Sequence, residues 1–139
     1  MTLRPLTREE IESPAFWMLL HEAAGVDAGA LRRIRDTELP ELDVIGVVAD
    51  EVVAFAASAA TPQRIVLEYI AVDARHRGEG LGTRLVDAVR GARPGIPLVA
   101  ETDDDAVDFY RALGFTVDAA PRDPRWPDRQ RYRCTHPAG

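Results

Sequence analysis

Apolar residues recur at helical spacing through the first forty positions of the chain, and the period then shortens to that of extended strand. Thr2–Leu6 reads as a short first strand. Thr7, followed by Glu9, Glu10 and Glu12, suits a helix start: a hydroxyl can cap free amides, and acids complement the positive end of the helix dipole. Ile11, Ala15, Met18 and Leu19 extend one apolar stripe to about Ala24, with Pro14 either in its first turn or breaking it. Gly25 closes that segment. Asp27 caps a second predicted helix, Ala28 to about Glu38, which Pro40 stops. Val44–Ala49 and Val52–Ala60 are then β-rich runs around a tight Asp50-Glu51 turn, and Thr61-Pro62-Gln63 leads into a third strand, Arg64–Asp73. This succession predicts an antiparallel meander. A helix over Gly80–Arg90, a short buried strand at Leu98–Thr102 and a helix over Asp103–Leu113 ended by Gly114 follow. Phe115–Ala119 and Gln130–Thr135 are the closing strands. One domain, residues 1–139, accounts for everything.

The most informative stretch is Leu67–Leu85, LEYIAVDARHRGEGLGTRL, in which an apolar strand runs through a turn of arginines and glycines directly into an amphipathic helix. Arg77, Gly80 and Gly82 form R-x-x-G-x-G, and Gly78 adds a third glycine. The first amides of a helix have no intrahelical acceptor and sit at the positive end of its dipole, so a phosphate is their natural guest. Glycines allow close approach and the positive φ angles of a concave amide nest. The turn is therefore expected to hold a pyrophosphate through Arg77, Gly78, Glu79, Gly80, Leu81, Gly82 and Thr83. Arg75 and Arg84 are further candidates for phosphate contact, and His76 is expected to face solvent.

Composition narrows the alternatives. A net charge of −6 argues against nucleic acid as the main partner. The single cysteine, Cys134, excludes an internal disulfide and a multi-thiolate metal site, and His21, His76 and His136 lack metal-ligand spacing, so no metal is expected. The N-terminal segment MTLRPLTREE carries no signal-peptide apolar run and no long apolar stretch follows; we expect a soluble, cytoplasmic protein without membrane partners. The chain contains no lysine, which removes a P-loop reading, and its glycines follow a late strand, unlike the first-strand glycines of a dinucleotide fold.

The turn Arg77-Gly78-Glu79-Gly80-Leu81-Gly82 after the strand ending IAV resembles the acetyl-CoA pyrophosphate loop of the GNAT superfamily of N-acetyltransferases. Asp103–Phe115, DDDAVDFYRALGF, resembles that family's second signature, a helix with A-x-x-x-Y followed by Gly-Phe. The resemblance implies a mixed α+β fold with a mostly antiparallel central sheet of about six to seven strands and about four flanking helices. It further implies that the IAV strand splays from Leu98–Thr102, leaving a cleft in which pantetheine pairs with the backbone of Ile70 and Val72. Acetyl-CoA is then the co-substrate, and transfer to a primary amine by direct attack in a ternary complex is the activity. Asp103 falls where the family often has an asparagine that touches pantetheine, but as a helix N-cap it has a sufficient structural role.

Acetyl transfer needs a base for the ammonium of the acceptor, a donor for the oxyanion and an acid for the departing thiolate. By resemblance, Tyr110 is the candidate acid and a backbone N–H near Val72 the oxyanion donor. Tyr110 equally fits a buried stripe of Ala106, Phe109, Tyr110 and Leu113, although Phe109 filling the core would free the Tyr110 hydroxyl for a polar partner. Glu68 is the candidate base. Strict alternation puts it on one face with Val66, Ile70 and Val72, and Ile65, Leu67, Tyr69 and Ala71 on the other. Glu101 on the neighbouring strand is its rival, and a water chain is the third option.

In this family the two N-terminal helices and the last inter-strand loop shape the acceptor site. Here the first region offers Glu9, Glu10, Glu12, Glu22 and Asp27 for a cationic amine. The second offers Arg122, Arg125, Trp126, Arg129 and Arg131 for a carboxylate. A small-molecule or amino-acid-like amine acceptor follows, and a homodimer stays open. The alternative is a non-catalytic acyl-CoA-binding sensor or a degenerate member of that family.

Overall fold

A computed structural model describes residues 1–137. Seven strands form one sheet in the order β1-β2-β3-β4-β5-β7-β6. In chain order these are β1 (Thr2–Pro5), β2 (Asp43–Val48), β3 (Val52–Ala60), β4 (Ile65–Val72), β5 (Leu98–Thr102), β6 (Thr116–Ala120) and β7 (Arg131–His136). Every neighbouring pair is antiparallel except β4 and β5. β2 to β4 are thus the expected meander, built on the 49–51 turn and the 61–64 turn, and β1 adds to its edge after the N-terminal helices. β3 is buried along most of its length because helices cover both faces of the sheet, which is why it reads as a continuous apolar run.

On one face lie α1 (Arg8–Ile11), α2 (Pro14–Ala24) and α3 (Ala28–Arg33). Phe16, Leu19, Leu20 and Leu31 pack there on Phe55, Tyr69 and Ala71. Phe16 and Phe55 are wholly buried with ring centroids 4.7 Å apart; burying each such side chain is worth about 1.5–3 kcal/mol. On the opposite face, α4 (Leu81–Ala92) and α5 (Val107–Ala112) bury Leu81, Leu85, Val86, Val107 and Tyr110 against Val53, Ala54, Leu67 and Cys134.

The helical boundaries correct the pattern reading at three places. The first apolar stripe is two helices, because Pro14 starts α2 at its first position and Ser13 caps it by accepting from the Phe16 amide. The second predicted helix is α-helical only to Arg33; Ile34–Glu38 is wound as a π-turn and Leu39–Glu41 as a 3₁₀ turn. The last predicted helix begins at Val107 rather than Asp103, residues 103–106 forming a turn held by the Asp103 carbonyl and carboxylate.

The largest departure is in β4. Its pairing with β3 skips a residue: Ala57 faces Tyr69, but Ser58 faces Leu67, so Glu68 is bulged. The bulge exchanges the two faces of the strand. Ile65 and Leu67 lie in the α4 core, as do Ile70 and Val72 beyond the bulge, while Tyr69 and Ala71 point to the α2 side. Strict alternation therefore fails at Glu68, which shares no continuous face with Val66, Ile70 and Val72.

Candidate active site

The bulge also opens the cleft. An extra residue bends and over-twists its strand, and here the parallel β4–β5 ladder stops at Leu67 opposite Ala100. Beyond that point the strands diverge around a cavity of about 780 Å³, ample for a ligand of cofactor size. On its β4 wall, the Asp73 amide bonds across to the Val53 carbonyl. Backbone groups alternate sides along a strand, so Ile70 and Val72 turn theirs away from β3 and into the cleft. An extended ligand could pair there as an added strand.

At one end of the cleft is the glycine turn. Gly78 and Gly80 have φ of 82° and 78°, values that side-chain-bearing residues rarely adopt. The helix that follows has Gly80 as its N-cap with no side-chain cap, whereas Thr7, Ser13 and Asp27 each cap α1, α2 and α3 through an oxygen. Among the described residues, the amides from Gly78 to Thr83 donate to no protein acceptor. An unfilled helix start opening on a cleft suits a di-anion, which takes the place of the missing cap. Glu79, Leu81 and Thr83 belong to the same turn, with Leu81 buried beneath it.

Gly82 is needed for a different reason. Its φ is ordinary, but a Cβ there would lie 2.8 Å from the Phe109 ring. Gly82→Ala is therefore expected to push Phe109, a large side chain of α5 that lines the cleft, into the ligand space. The expected loss of CoA affinity is about tenfold, with most of it recovered in Gly82→Ala/Phe109→Ala; calorimetric titration of the single and double variants checks this.

The arginines of the turn are engaged. Arg77 donates from Nε to the Val72 carbonyl at 3.3 Å and pairs with Glu22 of α2, tying the turn to the opposite wall of the cleft. Arg75 is turned outward onto Asp73 and Glu51, and Arg84 is exposed outside the cleft. His76 is half-buried rather than free in solvent, with Nδ1 3.3 Å from Glu79. Asp103 lines the cleft, but its carboxylate accepts from the Asp105 amide and pairs with Arg129 at 2.9 Å.

Tyr110 and Phe109 exchange the environments that their spacing suggested. Tyr110 is 5% exposed and Phe109 37%, so the phenol, not the plain ring, fills the core. The hydroxyl of Tyr110 nonetheless makes no hydrogen bond to any described residue and borders the cleft. Desolvation drives its pKa well above that of a free phenol, while the positive charge of Arg131 pulls it back. A neutral hydrogen-bond donor is thus held at the cleft wall at every physiological pH.

Glu68, pushed out by the bulge, borders the cleft with Glu101. Surrounding protein desolvates its carboxyl and raises its pKa; nearby Arg125 opposes this, and Glu38, Glu101 and Asp123 reinforce it. Glu101 is already engaged, 3.0 Å from Arg133. That leaves Glu68 the freer carboxylate of the pair.

Of the N-terminal acids, Glu22 alone lines the cleft; Glu10 pairs with Arg4, Glu12 with Arg8, and Asp27 caps α3. The loop between β6 and β7 reaches across to α2, where Trp126 Nε1 donates to the Ala24 carbonyl at 2.9 Å. Sequence reasoning missed the network beneath that loop. Tyr69 donates to Glu38 at 2.8 Å and accepts from Arg125 at 3.3 Å. Nothing in the local pattern signals it, since the bulge turns Tyr69 to this side and the π-turn delivers Glu38.

A family model described as Acetyltransferase (GNAT) domain matches residues 42–117. No curated protein sequence matches the chain at a significant level. Among solved structures, the chain is similar to aminoglycoside 6′-acetyltransferase type Ii, with TM-score 0.75 and 21% identity over 100% of this chain and 98% of that one. It is similar also to an aminoglycoside 6′-N-acetyltransferase complexed with coenzyme A, with TM-score 0.74 and 17% identity over 100% and 98%. The ribosomal-protein-S18-alanine N-acetyltransferase from Escherichia coli gives TM-score 0.72 and 19% identity over 99% and 94%. At these identities the common property is the fold.

Proposed function

Because the chain belongs to the GNAT acetyltransferase family, we propose that it transfers an acetyl group from acetyl-CoA to a primary amine of a small-molecule or amino-acid-like acceptor, both bound at once. One observation carries this reading: a single cleft joins a helix start without a side-chain cap, suited to a diphosphate, to a buried phenol that bonds to no described residue. The amides from Gly78 to Thr83 would hold the pyrophosphate, and the cleft-facing backbone of Ile70 and the Val72 amide the pantetheine arm, the Val72 carbonyl being taken by Arg77. Acetyl-CoA supplies a thioester carbonyl open to attack by nitrogen.

The residues of the cleft divide the remaining work. An alkylammonium has a pKa near 10 and must lose a proton before it attacks. Glu68, exposed at the bulge yet partly desolvated by the protein around it, takes that proton more readily than an ordinary carboxylate. The C–N bond forms and the C–S bond breaks; the nitrogen sheds its second surplus proton, which leaves with the sulfur as the CoA thiol, while the Tyr110 hydroxyl donates a hydrogen bond to the sulfur as its charge develops. Direct attack needs no nucleophilic side chain, and Cys134 is buried within the α4 core with its thiol pKa raised to about 11.

Two measurements test this. CoA should raise the melting temperature where NAD does not, and thiol release from acetyl-CoA should depend on an added amine; a CoA complex inert towards every amine would make the chain a sensor. With Glu68 as base, kcat/KM rises with pH through a limb displaced above the ordinary carboxylate range, and Glu68→Gln removes that limb with a loss of about 100-fold. Stability moves the opposite way. The folded state holds the Glu68 proton more tightly than the unfolded chain, so stability falls as pH rises from the unfolded pKa through the raised one. An unaltered limb in Glu68→Gln assigns the proton to Glu101 or to water.

A further inference from the structure

The arginines at the acceptor end differ in one respect that the sequence hides. Arg125 is held by Asp123 and Tyr69, Arg129 by Asp103 and Asp105, and Arg122 by the Pro127 carbonyl. Arg131 lines the cleft, is only 6% exposed, and has neither an ion pair nor a side-chain hydrogen bond among the described residues. Its Nε is wholly buried without an acceptor. Its guanidinium lies over the Trp126 ring, 4.5 Å from the centroid, which fixes its plane without neutralising its charge. Its field reaches Tyr110 on one side and Asp123 on the other, but Asp123 gives its carboxylate oxygens to Arg125.

A buried guanidinium without a counter-charge is unfavourable in a protein that only has to fold. At the wall of a ligand cleft it is a ready fork for a planar anion. We propose that Arg131 binds a carboxylate carried by the amine acceptor, so that the acceptor is an amino carboxylate. This rests on the transferase reading above, and it decides between the small-molecule and amino-acid-like acceptors that reading left open. Glu68, on the β4 wall of the same cleft, handles the ammonium end, and Arg131, on β7, the carboxylate end.

The test uses matched acceptors: amino acids, each paired with its own α-carboxamide, assayed by thiol release from acetyl-CoA. A carboxamide has the more acidic ammonium and so the larger free-amine fraction, so intrinsic reactivity works against the expected result. The intact enzyme should prefer the acid of the best pair in kcat/KM by roughly tenfold or more. Arg131→Met should bring that ratio close to one, and Arg131→Lys should retain part of it. The ratio within a pair cancels any general loss of turnover. A CoA-induced rise in melting temperature shows that each variant still folds and binds; if Arg131→Met does not, the intact enzyme and Arg131→Lys still decide. Equal use of acid and amide by the intact enzyme, or a preference that survives in Arg131→Met, overturns the proposal. So does a panel in which no amino acid is acetylated although CoA binds and other amines react, a result that leaves the transferase reading standing. Absence of both CoA binding and thiol release would instead remove the transferase reading and this inference with it.

Discussion

Tyr110→Phe should lower kcat for acetyl transfer about 100-fold, in the range found for a general acid, while CoA affinity and melting temperature stay close to those of the unaltered protein. The two halves of this expectation have different causes. Stability is spared because the hydroxyl bonds to no described residue and the ring contacts persist: Phe109 and Phe115 lie 5.2 and 5.3 Å from the Tyr110 centroid, edge to face. Turnover suffers because the hydroxyl is the donor at the cleft wall from which a proton can reach a departing thiolate. Full transfer from so desolvated a phenol is uphill, since a thiol has a pKa near 8.5. The donor therefore acts best as a hydrogen bond that tightens while the C–S bond breaks, with Arg131 favouring the charge that develops. Tyr110→Ala is the contrasting case, because removing a buried ring leaves a cavity and costs about 3–5 kcal/mol in stability. Thiol release, CoA titration and thermal melting on the Phe variant separate the two roles. An unchanged kcat would make Tyr110 a core aromatic and nothing more.

Gly80→Val should weaken CoA binding by about 100-fold, or roughly 2.7 kcal/mol, with a smaller loss of fold stability. No atom lies within 4 Å of a Cβ at this position, so steric crowding is not the reason. The reason is φ, which is 78° here; a β-branched residue in that region is a genuine outlier. The turn would relax by rotating its peptides, and the amides from Gly78 onward would no longer converge. Gly91→Val makes a useful control. It also has open space around it, but it lies near the far end of α4 with no positive φ, so it should change stability modestly and CoA binding not at all. Calorimetric titration with CoA on both variants decides the matter, and equal affinities would show that the nest is not the phosphate site.

Much of the fold could be read from local chemistry. The 44–60 hairpin, the third strand and the helix after the glycines lie within a few residues of their expected places, because each is specified by apolar period and by neighbours a few positions away. The glycine turn was legible for the same reason: positive φ at Gly78 and Gly80 and an uncapped helix start are properties of a handful of consecutive residues. Pro14 shows the limit of this kind of reading. Its ring permits either a break or a first helical turn, and the adjacent Ser13 hydroxyl, by capping α2, selected the second.

The site beyond the glycine turn was less legible. Phe109 and Tyr110 are neighbours on one short helix, and either could have faced the core; the choice fell to Gly82, which leaves room for the Phe109 ring above it. The faces of β4 could not be counted by twos, because one extra residue opposite Ala57 and Ser58 shifts the count at Glu68. The arginines of this region were equivalent as letters: Arg125 takes the adjacent Asp123 and Arg129 takes Asp103 and Asp105 from across the chain, and among the described residues no carboxylate pairs with Arg131.

The order of elements, the glycine turn and its mixed α+β setting were therefore encoded locally, in backbone preferences and apolar period that act over a few residues. The splay of β4 from β5, the exposure of Glu68, the buried phenol at the cleft wall and the unpaired guanidinium arose from packing between segments far apart in the chain. A local pattern records which side chains can be buried, but the sheet, by bulging and closing, settles which neighbours they meet and which charges are left for a ligand.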